Sequence, residues 1–144
     1  MKKNKIAIIS SSFWEDIVGN LEKDCVKVLT EHGVEKNNID LFRVPGSLEI
    51  PLAAKKLAKK QIYDAIIVFG AIHKGKTYHF ELIANECARA CMDVSLEYEV
   101  PVIFEVLAVY DIQDAIDRAQ GTKDNRGIEA ASAAIKMIEV MQNL

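Results

Sequence analysis

Residues 63–72 form an almost unbroken apolar run, and this run restricts the fold more than any other segment. A strand that is covered by other elements on both faces has this pattern, whereas a strand with one face in water alternates apolar and polar residues. Three further strands are predicted at residues 5–10, 38–44 and 102–109. The sequence therefore indicates a sheet whose strands lie in the interior.

Segments with apolar residues at helical spacing separate these strands. The predicted helices cover the segment that ends at His32-Gly33 and residues 48–59, 77–99, 112–119 and 125–142. Strands that alternate with helices are joined by right-handed crossovers and form a parallel sheet with helices on both faces. The expected fold is α/β: a three-layer α/β/α sandwich with a four-stranded parallel sheet, of the flavodoxin-like type.

Length and composition limit the classes of protein to consider. The chain has 144 residues, 50% of them hydrophobic, which suffices for a single domain over residues 1–144. A net charge of -3 offers no general attraction for nucleic acid. No apolar run approaches the roughly 20 residues of a membrane span, and the first five residues lead into a strand without a signal-peptide pattern. We therefore expect a cytoplasmic protein that binds neither nucleic acid nor membrane.

The cysteines argue against a disulfide framework and against a metal site. Cys25, Cys87 and Cys91 are odd in number and lack C-x-x-C spacing. Cys87 and Cys91 share one helix face, but a zinc site needs four donors and none is supplied nearby. We expect all three to be small buried hydrophobic residues.

Residues 68–79 carry the strongest signal for function. The apolar strand enters a turn with Lys74, Gly75 and Lys76, and a helix begins next to His79. Free backbone N–H groups at the start of a helix, with lysines beside them, favour an anion. A neutral imidazole at the same place could transfer a proton near pH 7. A small phosphorylated substrate is therefore indicated.

Aromatic and polar residues follow the first two strands, and the carboxyl ends of parallel strands meet at one edge of a sheet. We expect Phe13 to stack on a flat heterocycle and Trp14 to pack the first helix against the sheet. Ser47, Leu48 and Glu49 follow a Pro-Gly turn, and a carboxylate beside amide donors suits polyol hydroxyls. A glutamate at this position also complements a helix dipole, which is the simpler alternative.

A basic segment joins the last two helices. Residues 118–127 include Arg118, Lys123, glycines and a threonine. Cations at the end of a helix commonly complement its dipole. The alternative is a phosphate site that this segment donates to a neighbouring subunit, and this requires an oligomer.

Together these residues resemble the lumazine synthase family, from about Lys5 to the carboxyl terminus. The matching positions are Phe13, Val44-Pro45-Gly46-Ser47-Leu48-Glu49-Ile50-Pro51-Leu52-Ala53-Ala54-Lys55-Lys56, Tyr63-Asp64-Ala65, Gly70-Ala71, Gly75, Thr77, His79-Phe80, Ala84-Asn85-Glu86, Pro101-Val102-Ile103-Phe104, Ala115-Ile116-Asp117-Arg118-Ala119 and Gly121-Thr122-Lys123. The departures from the family pattern are Trp14, His73, Lys74, Lys76, Glu81 and Glu105.

The resemblance implies condensation of 5-amino-6-ribitylaminouracil with 3,4-dihydroxy-2-butanone 4-phosphate, a step of riboflavin biosynthesis that needs no cofactor. His79 would transfer protons. The residues implied in binding the heterocyclic substrate are Phe13, Ser47, Leu48, Glu49, Ala71, Ile72 and Phe104. Those implied in binding the phosphate are Lys76, Thr77, Arg118 and Lys123, with Arg118 supplied by the adjacent subunit.

The resemblance also implies a homo-oligomer with sites between subunits. Family members form pentamers, and in some of them twelve pentamers assemble into a hollow shell. Because the chain starts close to its first strand, we expect the pentamer, with the shell as the alternative and riboflavin synthase as a candidate partner.

Two other functions stay open at this point. One is a non-catalytic scaffold of the same fold that binds flavin or forms cages, which His73, Lys76 and Glu105 would favour. The other is a phosphate-binding domain that acts on a different ketose phosphate.

Overall fold

The computed structural model of the protein describes residues 3–144. Met1 and Lys2, which belong to the predicted start without a signal peptide, lie outside the described residues. Within the described range the main elements are β1 Ile6–Ser11, α1 Glu15–Glu31, β2 Ile39–Val44, α2 Ile50–Ala58, β3 Ala65–His73, α3 His79–Tyr98, β4 Val102–Val109, α4 Ile112–Arg118 and α5 Arg126–Gln142. Two short 3-10 helices, Lys36–Asn38 and Ser47–Glu49, precede β2 and α2.

The four strands form one parallel sheet in the order β2-β1-β3-β4. Ser11 pairs with Val44 and His73 pairs with Val109, so the strands end near one another along one edge of the sheet. The predicted α/β fold with a four-stranded parallel sheet and helices on both faces is therefore confirmed.

Helices cover both faces of the sheet and create two cores. On one face α1, α4 and α5 bury residues such as Ile8, Leu21 and Ile138. On the other face α2 and α3 bury Ile9, Ile50 and others. Burial of an aliphatic side chain of this size contributes about 1.5–3 kcal/mol. The central strands β1 and β3 are apolar on both sides because each side contacts one of these cores.

Local interactions set two of the helix ends. The buried Asn125 side chain accepts hydrogen bonds from the N–H groups of Gly127 and Ile128 at 2.9 and 3.1 Å, and it donates one to Asp24 of α1 at 2.8 Å. It thus caps α5 and joins α5 to α1. Pro51 lies in the first turn of α2, where its missing N–H has no cost.

Helix α3 begins two residues later than the sequence predicted. Its first residue is His79, and Thr77 remains in the preceding loop. The backbone N–H of Lys74 donates to the carbonyl of Val109 at 3.0 Å, which holds the start of this loop against β4.

The three cysteines are buried with free thiols, as small apolar residues would be. Burial raises the pKa of the Cys25 thiol. In the described part of the chain, no group of His, Cys, Asp and Glu side chains has the arrangement of a metal site. No helix there combines the length and the apolar character that crossing a membrane would require.

Candidate active site

A cavity of about 460 Å³ opens at the carboxyl ends of β1, β2 and β3. Its lining residues are Phe13, Trp14, Gly46, Ser47, Leu48, Glu49, Ala71, Ile72, His73, His79 and Ile83. A larger hollow of about 690 Å³ lies at the opposite edge, around Lys3, Tyr63 and Tyr98. Ligands of open parallel sheets bind beyond the carboxyl ends of the strands, so we assign the site to the smaller cavity.

His79 lies at the rim of this cavity because α3 starts there. The imidazole is exposed, and it belongs to the first residue of the helix, next to the first backbone N–H groups in the chain. These groups have no partner within the helix and attract negative charge. Lys76 and Thr77 are exposed in the loop just before His79, and Lys76 makes no ion pair among residues 3–144. A proton-transfer group and a potential anion site are therefore adjacent.

Lys74 does not share in that anion site, because it is already paired. Its ammonium lies 2.8 Å from the Glu81 carboxylate, across the loop that leads into α3. This hydrogen bond raises the pKa of Lys74 and lowers the pKa of Glu81. The ammonium also lies 5.5 Å from the centre of the Tyr110 ring. The Lys74–Glu81 pair therefore closes the loop, and Lys76 is the lysine of the loop that remains accessible to an anion.

The floor of the cavity is formed where Ser47 meets β3. A side chain at Gly70 would come within 2.6 Å of the Ser47 hydroxyl and 3.2 Å of the Ser11 hydroxyl, so only glycine leaves room for both. The thiol of Cys87 on α3 donates a hydrogen bond to the Ser47 carbonyl at 3.1 Å. These contacts hold the Ser47–Glu49 turn on the sheet, with Leu48 and Glu49 exposed beside the cavity.

The structure brings together most of the residues predicted to bind the heterocyclic substrate. Phe13, Ser47, Leu48, Glu49, Ala71, Ile72 and the predicted catalytic residue His79 all line the cavity. Phe13 is 69% exposed, which leaves its ring free to stack on a ligand. An aromatic face, a carboxylate and an imidazole around one hollow can bind a polar heterocycle and move its protons.

The remaining predicted residues lie elsewhere in the single chain. Phe104 is on the edge strand β4 and is 36% exposed, while Arg118 ends α4 and Lys123 is exposed in the loop before α5. None of the three lines the cavity. All three lie on β4 or in segments that follow it in the chain.

Two cavity residues were assigned differently from the sequence. Trp14, expected to pack the first helix, is 43% exposed and lines the cavity. His73, which was not among the residues predicted to bind substrate, is exposed and lines the cavity as well, at the end of β3. Ile83 was not singled out at all, although it lies one helical turn after His79, a spacing that places both on the same side of α3.

Comparison with known proteins shows the family to which the chain is related. The sequence profile of the 6,7-dimethyl-8-ribityllumazine synthase family matches residues 3–142. The 6,7-dimethyl-8-ribityllumazine synthase of Ruthia magnifica subsp. Calyptogena magnifica is 44% identical over 149 residues, which cover 100% of this chain and 89% of the relative. The enzyme of the same name from Vesicomyosocius okutanii subsp. Calyptogena okutanii (strain HA) is 45% identical over 147 residues, 99% of this chain and 88% of the relative. The chain therefore belongs to the 6,7-dimethyl-8-ribityllumazine synthase family.

Proposed function

We propose that this protein condenses 5-amino-6-ribitylaminouracil with 3,4-dihydroxy-2-butanone 4-phosphate to 6,7-dimethyl-8-ribityllumazine, with release of phosphate and water. The observation that carries the proposal is the grouping of Phe13, Glu49 and His79 around one cavity, in a chain of this family. Phe13 supplies a stacking surface for the pyrimidinedione, and Glu49 with the Ser47 turn supplies acceptors for the ribityl hydroxyls.

His79 is the proposed proton-transfer residue. Imine formation, elimination of phosphate and ring closure each move a proton, and a well-placed imidazole contributes about 10²- to 10⁴-fold to such steps. Holding two substrates side by side lowers the barrier further. The reaction contains no redox step and transfers no group through a carrier, so the proposal requires no cofactor.

The phosphate leaves beside the start of α3. Lys76 and Thr77 lie in the loop that leads to His79, and the N–H groups of the first helical turn follow directly after it. Positive charge that faces the leaving phosphate stabilises it as its negative charge develops. We assign Lys76 and Thr77 to this role, with Arg118 and Lys123 joining them from a neighbouring copy.

An active site between subunits accounts for the residues that lie outside the cavity. Phe104 lies on the edge strand β4, Arg118 ends α4, which contacts β4, and Lys123 follows α4 in the chain. A second copy that docks along this edge would receive these residues at its own cavity. Helix α3 exposes apolar residues: Leu82 is 53%, Met92 59% and Leu96 71% exposed. Exposed apolar side chains along one helix are typical of an interface. We therefore propose a homo-oligomer, with the pentamer as its expected size.

Mass in solution tests the oligomer. Light scattering at micromolar protein concentration distinguishes the monomer, the pentamer and the shell of twelve pentamers. A monomer that forms product would contradict the shared site.

We also propose a cytoplasmic location, because a reducing compartment suits three buried free thiols.

The activity is tested by incubation with both substrates while the fluorescence of the lumazine is followed. We expect product and phosphate in equal amounts, and neither when one substrate is omitted. Absence of product at all enzyme concentrations would refute the proposal. Release of phosphate without the ribityl substrate would indicate the ketose phosphate alternative, and tight flavin binding without turnover would indicate the scaffold.

One structural observation weakens the scaffold alternative. Glu105 follows the strand pattern of Ile103 and Leu107, which face the α1, α4 and α5 layer. The cavity lies on the other face of the sheet, beside α3. The carboxylate of Glu105 therefore does not enter the cavity of its own chain.

A further inference from the structure

Phe13 and Trp14 are consecutive, but their rings lie on different sides of the cavity. Phe13 lies towards Gly46, which follows β2. A Cβ atom placed on Gly46 would be 3.7 Å from Phe13 Cδ2 and 3.1 Å from Glu49 Oε1. Trp14 lies towards β3, with its ring centre 6.2 Å from that of His73 and the ring planes at 73°. The cavity therefore has an aromatic residue on both sides.

The backbone of Trp14 accounts for this divergence. Trp14 has φ 57 and ψ 49, the left-handed conformation, at the position that caps α1. Capping residues normally have an extended backbone, and a bulky residue in the left-handed region is strained. The Trp14 carbonyl accepts hydrogen bonds from Ile17 and Val18, both at 3.0 Å, so the first turn of α1 holds this conformation. Strain of this kind is concentrated at functional sites.

The indole also divides two hollows. A second cavity of about 430 Å³ lies between the start of α1 and α4, around residues such as Asp16, Ile112 and Ile116. Trp14 is the residue that lines both cavities. Trp14 therefore lies between the two hollows and forms part of the wall of each.

The contact with His73 leaves ring surface available to a ligand. Two rings at 73° meet edge to face, so they cover little of each other's surface. Trp14 remains 43% exposed in the free protein. A flat heterocycle can stack on an indole face of this kind, whereas an aliphatic side chain offers no such stacking surface.

We propose that Trp14, oriented by His73, is the second aromatic wall of the site and determines how the pyrimidinedione substrate is held between itself and Phe13. This inference rests on the proposed function and extends it to residues that were not expected to bind substrate. It predicts that Trp14 acts on the heterocyclic substrate, while the phosphorylated ketone binds independently of it, since the loop with Lys76 and Thr77 lies outside the cavity lining.

The first test uses Trp14 as its own reporter, because it is the only tryptophan in the sequence. Addition of 5-amino-6-ribitylaminouracil alone should produce a saturable change in tryptophan emission, whose midpoint matches the dissociation constant from calorimetry. Addition of the phosphorylated ketone alone should leave the emission unchanged. Calorimetric binding of the pyrimidinedione without any change in emission would overturn the inference.

The second test compares variants of Trp14. Trp14→Ala should weaken calorimetric binding of the pyrimidinedione about tenfold and raise its KM, with kcat and the KM for the ketone changed less than about threefold. Trp14→Phe keeps an aromatic face and should recover most of the affinity, and His73→Ala should show an intermediate loss. Tyr98→Ala is the matched control, since Tyr98 is a half-buried aromatic residue at the end of α3 that lines the hollow at the opposite edge of the sheet.

The outcomes separate this inference from the proposed function. If the parent binds the pyrimidinedione and forms product while Trp14→Ala behaves like the parent, Trp14 is not a wall of the binding site, and the proposed activity is unaffected. If Trp14→Ala and Tyr98→Ala lose equal affinity, the effect is not specific to the cavity and the inference fails. If the parent neither binds the pyrimidinedione nor forms product, both are refuted.

Discussion

Arg118 and Asp124 form an ion pair, with Arg118 Nε 3.5 Å from Asp124 Oδ2, at the end of α4. A terminal nitrogen of the same guanidinium donates to the Asp114 carbonyl at 2.9 Å. Arg118 is thus held in the layer of α1, α4 and α5, whereas His79 begins α3 on the opposite face of the sheet. If both residues act on one substrate, they come from different copies of the chain.

Complementation between two inactive variants tests this arrangement. Co-production of His79→Ala and Arg118→Ala should restore lumazine formation at low ketone phosphate, because mixed oligomers contain sites that keep both residues. Each variant alone should be impaired: His79→Ala in kcat, and Arg118→Ala chiefly in its requirement for the ketone. Co-production of His79→Ala with His79→Gln is the control. Recovery in that control, or none in the first mixture, would show that the two residues do not combine across an interface.

His79→Ala should lower kcat by about 10²- to 10⁴-fold and leave the KM for either substrate nearly unchanged, since the imidazole acts on proton transfer. Steady-state kinetics measure both constants. His32→Ala is the matched control, because His32 is an exposed histidine just after α1 whose Nδ1 lies 2.9 Å from the Val28 carbonyl, away from the cavity. Equal kinetics in His79→Ala and the parent would remove the proton-transfer role.

Gly127→Ala should destabilise the fold by about 1–3 kcal/mol, the usual cost of forcing extra volume into a packed contact. A side chain at this position would meet the backbone of Leu21, with the Cα at 3.0 Å, where α5 crosses α1. Gly19→Ala on α1 is the control: nothing lies within 4 Å, and alanine should stabilise the helix by about 0.5–1 kcal/mol. Urea unfolding measures both. A neutral Gly127→Ala would show that the two helices can separate without cost.

Glu105 should make stability depend on pH near neutrality. Burial raises the pKa of Glu105 to about 7; Arg126 opposes this change, while Glu129 and Asp124 add to it. Between about pH 4.5 and 7 the folded state therefore binds more protons than the unfolded state, so the free energy of unfolding falls as pH rises through this window.

Glu105→Gln removes that titration. The free energy of unfolding of this variant relative to the parent should increase by about 1 kcal/mol from pH 4.5 to pH 7.5. This is less than the whole pKa change would give, because the side chain is only half-buried and water screens it. Urea unfolding at several pH values measures the difference, with Glu31→Gln on the exposed end of α1 as the control for loss of one charge. A difference that stays constant with pH would contradict the assignment.

Much of the site could be predicted from the sequence because parallel strands bring their carboxyl ends together. Phe13, Glu49 and His79 follow three different strands, and the alternation of strands with helices was enough to place them at one edge. The direction in which a side chain leaves the backbone could not be predicted in this way. Trp14 follows Phe13 directly, and its left-handed backbone turns the ring towards His73 instead of into the core.

The order of apolar and polar residues by itself determined the four strands, the parallel sheet and the edge at which the chemistry lies, because strands that alternate with crossover helices form a parallel sheet covered by helices on both faces. Only the tertiary structure decided which of the candidate residues share a cavity. That outcome depends on which layer each helix joins: α3 carries His79 to one face of the sheet, and α4 carries Arg118 to the other. Distances between residues on different elements are set by the packing of those elements, and the apolar pattern within one segment does not specify that packing.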